Sequence, residues 1–116
     1  MQRFQSHMIG IEQGEKVLFS DFEDGGGMWT GKGPRESRCH VSFSEAFHTT
    51  PVVQIGMSMW DTDRLTNMRA DIQAENTTPA GFDIVFRTWG DSRVARVRAG
   101  WLAIGELQDE DTWALY

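Results

Sequence analysis

Residues 67–76, NMRADIQAEN, alternate from Asn67 to Glu75. Met68, Ala70, Ile72 and Ala74 are apolar. Asn67, Arg69, Asp71, Gln73 and Glu75 are polar or charged. Successive side chains on an extended chain point to opposite faces, so this pattern predicts a half-buried β-strand. The same period recurs along the chain. EKVLFSDF (15–22) places Val17 and Phe19 on one face, and HVSFSEAF (40–47) places Val41 and Phe43 together. In PVVQIGMSMWD (51–61), Val53, Ile55, Met57 and Met59 oppose Val52, Gln54, Gly56, Ser58 and Trp60. GFDIVFRTW (81–89) sets Phe82, Ile84 and Phe86 on one side. In RVARVRAGWLAIGE (93–106), Ala95, Val97, Ala99, Trp101 and Ala103 share a face, with a bulge expected near Gly100.

Turn chemistry separates these runs. TDRLT (62–66) and TTPAG (77–81) read as turns, and GDS (90–92) as a short hairpin-like link. EDGGGMWTGKGPRES (23–37) is dense in Gly and reads as a long loop, a frequent place for function. Six strands at regular spacing, with no amphipathic helix, predict an all-β, six-stranded antiparallel β-sandwich; a small open barrel is the alternative. The expected division is a weakly structured N-terminal lead (1–14), the sandwich (15–108) and an acidic C-terminal tail (109–116).

A chain of 116 residues fits one domain, and five Trp and seven Phe supply ample area for one core. The formal net charge of −6 argues against nonspecific binding to nucleic acid or an anionic membrane surface. Cys39 is alone, so no intrachain disulfide forms. The first ten residues lack the apolar stretch of a signal peptide, and no run is long enough to span a membrane. The expected setting is cytoplasmic; action at the cell surface or outside would need a non-classical export route.

No nucleophile elbow, phosphate-binding loop, zinc-binding helix or paired-cysteine motif is present, so catalysis is not expected and no cofactor or metal is implied. Cys39 and His40 are neighbours on a strand and face opposite ways, which excludes a nucleophile–base pair. Asp21, Glu23 and Asp24 precede three Gly without the spacing of a calcium loop; a solvated loop is the simpler reading. The polar strand faces carry more chemistry. Arg69 stands between Asn67 and Asp71, and Trp89 ends its strand just before Gly90 and Asp91. An Arg fork, an aromatic ring and a carboxylate together hold a sugar: the charged groups bind hydroxyls and the ring covers the apolar CH face. The simpler alternative is that Arg69 pairs with Asp71 across the sheet surface while Trp89 completes the core.

PVVQIGMSMWD, NMRADIQAENTTPAGFDIVFRTW and RVRAGWLAIGE, in this order and spacing, resemble the H-type lectin domain of snail agglutinins and of the discoidin C-terminal domain. The most specific pieces are the P-x-V strand at Pro51, N-x-R at Asn67 to Arg69, Gly81–Phe82, Thr88–Trp89 and W-x-A-I at Trp101 to Ile104. The likeness runs from about Val41 to Glu106. It implies a sandwich that assembles as a homotrimer, in some cases a dimer of trimers, with a role in cell adhesion. It also implies binding of galactose and N-acetylgalactosamine (GalNAc) glycans at sites between subunits. By position, Arg69 matches the strand arginine that hydrogen-bonds the sugar, and Trp89 the aromatic supplied by the neighbouring subunit; Gly90 and Asp91 complete the expected site. Two positions depart from the pattern. Gly90 stands where the snail lectins have His, and the loop Asp that holds the axial hydroxyl aligns near Lys32 or Gly33. Asp24 and Glu36 are the acids near enough in sequence to substitute. Assembly would also bring Arg93, Arg96 and Arg98 against the acids of 71–75, as ion pairs between subunits. The competing expectation is a trimeric structural or adhesion component, as in a phage-like particle or surface appendage, that keeps the fold without the sugar.

Overall fold

The computed structural model describes residues 1–5, 7–22 and 24–108. The acidic tail expected over 109–116 lies outside the described residues. Six strands and one short helical turn follow in the order β1 (Ile9–Ser20), α1 (Gly27–Thr30), β2 (Arg35–Ser42), β3 (Val52–Thr62), β4 (Ala70–Thr78), β5 (Gly81–Thr88) and β6 (Val94–Glu106). They form two three-stranded sheets, β1-β6-β3 and β2-β5-β4, and every pairing is antiparallel. This is the β-sandwich that the alternation predicts.

The inward residues meet between the sheets. Phe82, Ile84 and Phe86 on β5 and Val97, Ala99 and Ala103 on β6 are fully buried. Around Phe82, the ring of Phe43 lies 5.8 Å away and that of Trp101 5.5 Å away, edge to face. Phe19 and Phe86 anchor a second cluster with Met28, Val94 and Val97. Each large apolar side chain removed from water here contributes about 1.5–3 kcal/mol. The two central strands therefore hold the sheets together.

Four local expectations change. β1 begins at Ile9, so residues 9–14 of the expected lead are strand, paired from Ile9↔Glu106 to Gly14↔Trp101. β2 begins at Arg35, inside the expected Gly-rich loop, and ends at Ser42. Gly100 pairs regularly with Glu15 and Gly56; the register shifts instead fall at Val17/Phe19 on β1 and at Met57/Met59 and Asp61/Thr62 on β3. The GDS link is no hairpin, because it carries the chain from β5 in one sheet to β6 in the other. A true hairpin joins β4 to β5, where Thr78 pairs with Gly81.

The polar side of β4 lies on the outer face of the β2-β5-β4 sheet. Glu75 accepts from Arg87 at 2.9 Å and Arg38 at 3.3 Å, and Arg87 reaches Glu36 at 3.0 Å. Asp83 accepts from His40 at 2.8 Å, Asn76 at 3.0 Å and Arg38 at 3.3 Å. The hydrogen bonds from Arg87 and then Arg38 hold the Glu75 carboxyl below its usual range. Those from Asn76 and His40 do the same for Asp83. Val85, outward-facing between Arg38 and Gln73, is nevertheless fully buried. Long polar side chains cover apolar surface with their stems.

Arg96 and Arg98 on β6, and Arg93 just before it, find partners within the chain. Arg93 pairs with Asp63 at 3.1 Å, Arg96 with Asp61 at 3.3 Å and Arg98 with Glu15 at 3.5 Å. Glu75 is already held by Arg87 and Arg38. The expected pairing of the β6 arginines with the acids of 71–75 thus has intrachain competitors on both sides.

Candidate binding site

Three connections meet at one end of the sandwich: the loop from β1 to β2, the turn from β3 to β4, and the crossover from β5 to β6. Two buried hydroxyls fasten them. Ser92 Oγ donates to the Asn67 carbonyl at 2.7 Å and accepts from the Arg69 amide at 2.9 Å. Thr88 Oγ1 donates to the Arg69 carbonyl at 2.5 Å. Ser92 is 0% exposed and Thr88 1%. Both peptide groups of Arg69 are therefore satisfied by neutral, part-buried hydrogen bonds to buried hydroxyls, which fixes where its side chain begins.

The Arg69 side chain itself is exposed and lies across Gly90. A Cβ added at Gly90 would come within 3.4 Å of Arg69 Nε and 3.5 Å of Cδ. Gly90 has φ +70°, a conformation that penalises any Cβ. Among the described residues, no hydrogen bond or ion pair engages the Arg69 guanidinium, and Asp71 does not pair with it. Asp91, next in the chain, accepts from Asn67 Nδ2 at 3.5 Å.

The Gly-rich loop is tied to the same spot. Gly33 N–H donates to the Gly90 carbonyl at 3.0 Å. Arg35 reaches that carbonyl with Nη2 at 3.3 Å, Gly33 O with Nε at 2.9 Å, and Met28 O with Nη1 at 3.0 Å. Asp21 works inside the loop: its backbone carbonyl accepts from Gly26 at 3.0 Å and its carboxylate from Met28 at 3.1 Å. Arg93 closes the other side. It stacks 4.3 Å from the Trp29 ring, donates to the Trp29 carbonyl at 3.0 Å and pairs with Asp63.

Two shallow clefts flank Gly90. One, of about 380 Å³, is lined by Thr30, Gly31, Lys32, Thr66, Asp91 and Arg93. The other, of about 300 Å³, is lined by Pro34, Arg35, Glu36, Arg87, Thr88 and Trp89. Of the four residues that the sequence points to, Arg69, Gly90 and Asp91 form one patch. Trp89, 43% exposed, opens on the second cleft. Glu36 lies on the Trp89 side and is engaged by Arg87, while Asp24 is exposed on the loop. Cys39 and His40 diverge, His40 turning outward to Asp83.

Sequence reasoning missed Thr88, Ser92 and Arg35. Thr88 did carry a signal: it continues the inward phase of Phe82, Ile84 and Phe86 with a polar group. A hydroxyl at a core position implies a specific partner.

A half-exposed indole beside one cleft, and an unengaged guanidinium, an ammonium and a carboxylate near the other, are groups of the chemistry that can bind hydroxyls and the apolar face of a small polar molecule. Residues 38–104 match the H-type lectin domain family, and the chain belongs to it. It is similar over 107 residues, at 61% identity, to a Fuscovulum blasticum protein called ATP synthase subunits region ORF 7, covering 92% of this chain and 93% of that one. It is 36% identical over 77 residues to discoidin-2 of Dictyostelium discoideum, 65% of this chain but 30% of the discoidin. The structure of wild-type discoidin II from Dictyostelium discoideum superimposes with a TM-score of 0.74 at 27% identity, over 87% of this chain and 38% of that one. The chain thus corresponds to less than half the length of the discoidins it matches. Its family is one of carbohydrate-binding lectin domains.

Proposed function

We propose that this protein is a multivalent lectin for galactose- and GalNAc-type glycans, acting by binding rather than catalysis, with sites at the junctions of a trimer or a dimer of trimers. The observation that carries this reading is the state of Arg69. Its backbone is clamped by Ser92 and Thr88, while its guanidinium meets no partner among the described residues. A fork held in place and left unengaged suits a ligand's hydroxyls. Asp91, held toward Asn67, adds the acceptor.

The separation of Arg69 from Trp89 supports a shared site. Within one chain Trp89 lines a cleft that Arg69 does not, so the aromatic wall beside Arg69 would come from a neighbouring subunit, as the family resemblance implies. The outer face of the β1-β6-β3 sheet offers apolar area for assembly. Ile11, Ile104 and Val52 lie in one cross-strand row there, with Ile11 67% and Val52 47% exposed. Repeating one weak site in a symmetric oligomer would raise avidity on a glycan surface, including in adhesion.

The test is a glycan array with the purified protein beside Arg69→Ala, with oligomeric state measured by light scattering. Binding to terminal galactose-type glycans that disappears in a folded variant is the expected result. A folded trimer silent on every glycan would overturn the lectin reading in favour of a structural component that keeps the fold alone.

A further inference from the structure

Charge at the site end runs against the charge of the chain. The protein carries a formal net charge of −6. Yet three cations converge on Gly90 and Asp91. Arg69 lies across Gly90. Arg35 donates to the Gly90 carbonyl and to the carbonyls of Gly33 and Met28, with no carboxylate partner among the described residues. Lys32 precedes Gly33, whose amide holds the Gly90 carbonyl, and it lines the cleft with Asp91. Lys32 likewise has no ion pair among the described residues. Arg93, the remaining cation of that cleft, is neutralised by Asp63 at 3.1 Å. Among the described residues, Asp91 is thus the single carboxylate lining this cleft, with Lys32 its unpaired cation, while Arg69 and Arg35 reach Gly90 beside it.

Four arginines away from this end are matched, whereas Arg3, Lys16 and Arg64 have no ion pair among the described residues. Arg38, Arg87, Arg96 and Arg98 each have an acidic partner within 4 Å. A neutral sugar would leave the excess at the site uncompensated. An anionic group placed between Arg69 and Lys32 would receive a planar two-donor fork from one side and a mobile ammonium from the other. We infer that the preferred ligand is an acidic galactose-type residue, one bearing a carboxylate or a sulfate, with Arg69 and Lys32 holding the anion and Asp91 accepting from a ring hydroxyl. This rests on the lectin reading and narrows its ligand class.

The experiment is titration calorimetry of the intact protein with three probes: a galacturonic acid trisaccharide, galactose 6-sulfate, and the corresponding neutral galactosides. At least one acidic probe should bind about tenfold or more tightly than its neutral counterpart, the scale of one or two charge-assisted hydrogen bonds. Which acidic probe wins identifies the anion. The advantage should shrink as salt is raised from low to physiological levels. Lys32→Glu should abolish the preference, and Lys32→Gln should reduce it. Lys16→Glu makes the same charge change at an exposed position on β1 and should leave the preference intact. Neutral sugars bound as tightly as acidic ones would overturn the inference and leave the lectin reading standing. No binding of any probe would overturn both. An equal loss in Lys16→Glu would overturn the local assignment, since bulk charge would then explain the preference.

Discussion

Two charged regions of the β2-β5-β4 sheet use the same residue types in opposite ways. On its outer face, Arg38, Arg87 and His40 interleave with Glu36, Glu75 and Asp83, and each has a partner within 4 Å. At its end, Arg69 and Lys32 meet none among the described residues, although Asp71 and Asp91 are close in sequence. Apart from Asp71, which has no ion pair among the described residues, the face satisfies its charges with one another. The end fixes its arginine through the backbone, with Ser92 and Thr88 holding the peptide groups on either side. Exposed ion pairs stabilise weakly, because water and salt screen them and long side chains lose freedom in forming them. Bonds to buried hydroxyls cost more to break, because the groups left behind are partly shielded from water. Position at the site therefore comes from the stronger kind of contact, and charge is left available for a ligand.

Ser92→Ala tests that contrast most severely. It leaves the Arg69 amide and the Asn67 carbonyl without their partner in a part-buried setting, so unfolding stability should fall by about 1 kcal/mol. Sugar affinity should fall with it, because Arg69 loses its anchor. Denaturant melts and binding isotherms on one preparation check both. Unchanged stability would mean that the clamp contributes nothing.

Acid should act on the face with a smaller effect. Glu75 and Asp83 titrate in the folded protein below their ordinary values of 4.5 and 3.8. The unfolded chain then takes up protons first as pH falls. Their contribution is fully present above those values and drains away below them. Thermal melts from pH 6 to pH 3 should show this loss, with a shallower slope in Glu75→Gln; an identical slope would remove Glu75 from the cause.

Arg38→Ala should have the least consequence, despite breaking the contacts to Glu75 and Asp83. A fall in Tm of no more than about 2 °C is expected, with sugar affinity unchanged. A large loss of binding would show that the face and the site are coupled, and the contrast between them would fail.

The two-residue alternation was enough to place Val53, Ile55 and Met57, and Phe82, Ile84 and Phe86, on inward faces, and to predict a six-stranded sandwich. That information is local: each side chain's face follows from its neighbours along an extended strand. It did not show that Ile9–Gly14 belong to β1. There Ile9 and Ile11 point outward and are exposed, and Gly14 leaves room for Trp101, whose ring atom would sit 2.8 Å from an added Cβ. Nor did it show that β5 and β6 part into different sheets, since GDS carries the chemistry of a tight turn whichever strand follows.

The candidate site divides in the same way. Arg69, Trp89, Gly90 and Asp91 stand out in sequence as an arginine on a strand and a cluster closing another. Only the folded chain sets Arg69 across Gly90, turns Trp89 to a cleft of its own, and brings Gly33 and Arg35 to the Gly90 carbonyl through a loop distant in sequence. Whether a charge is spent on a neighbour or kept for a ligand depends on which groups the tertiary structure brings within reach, and no local pattern carries that information.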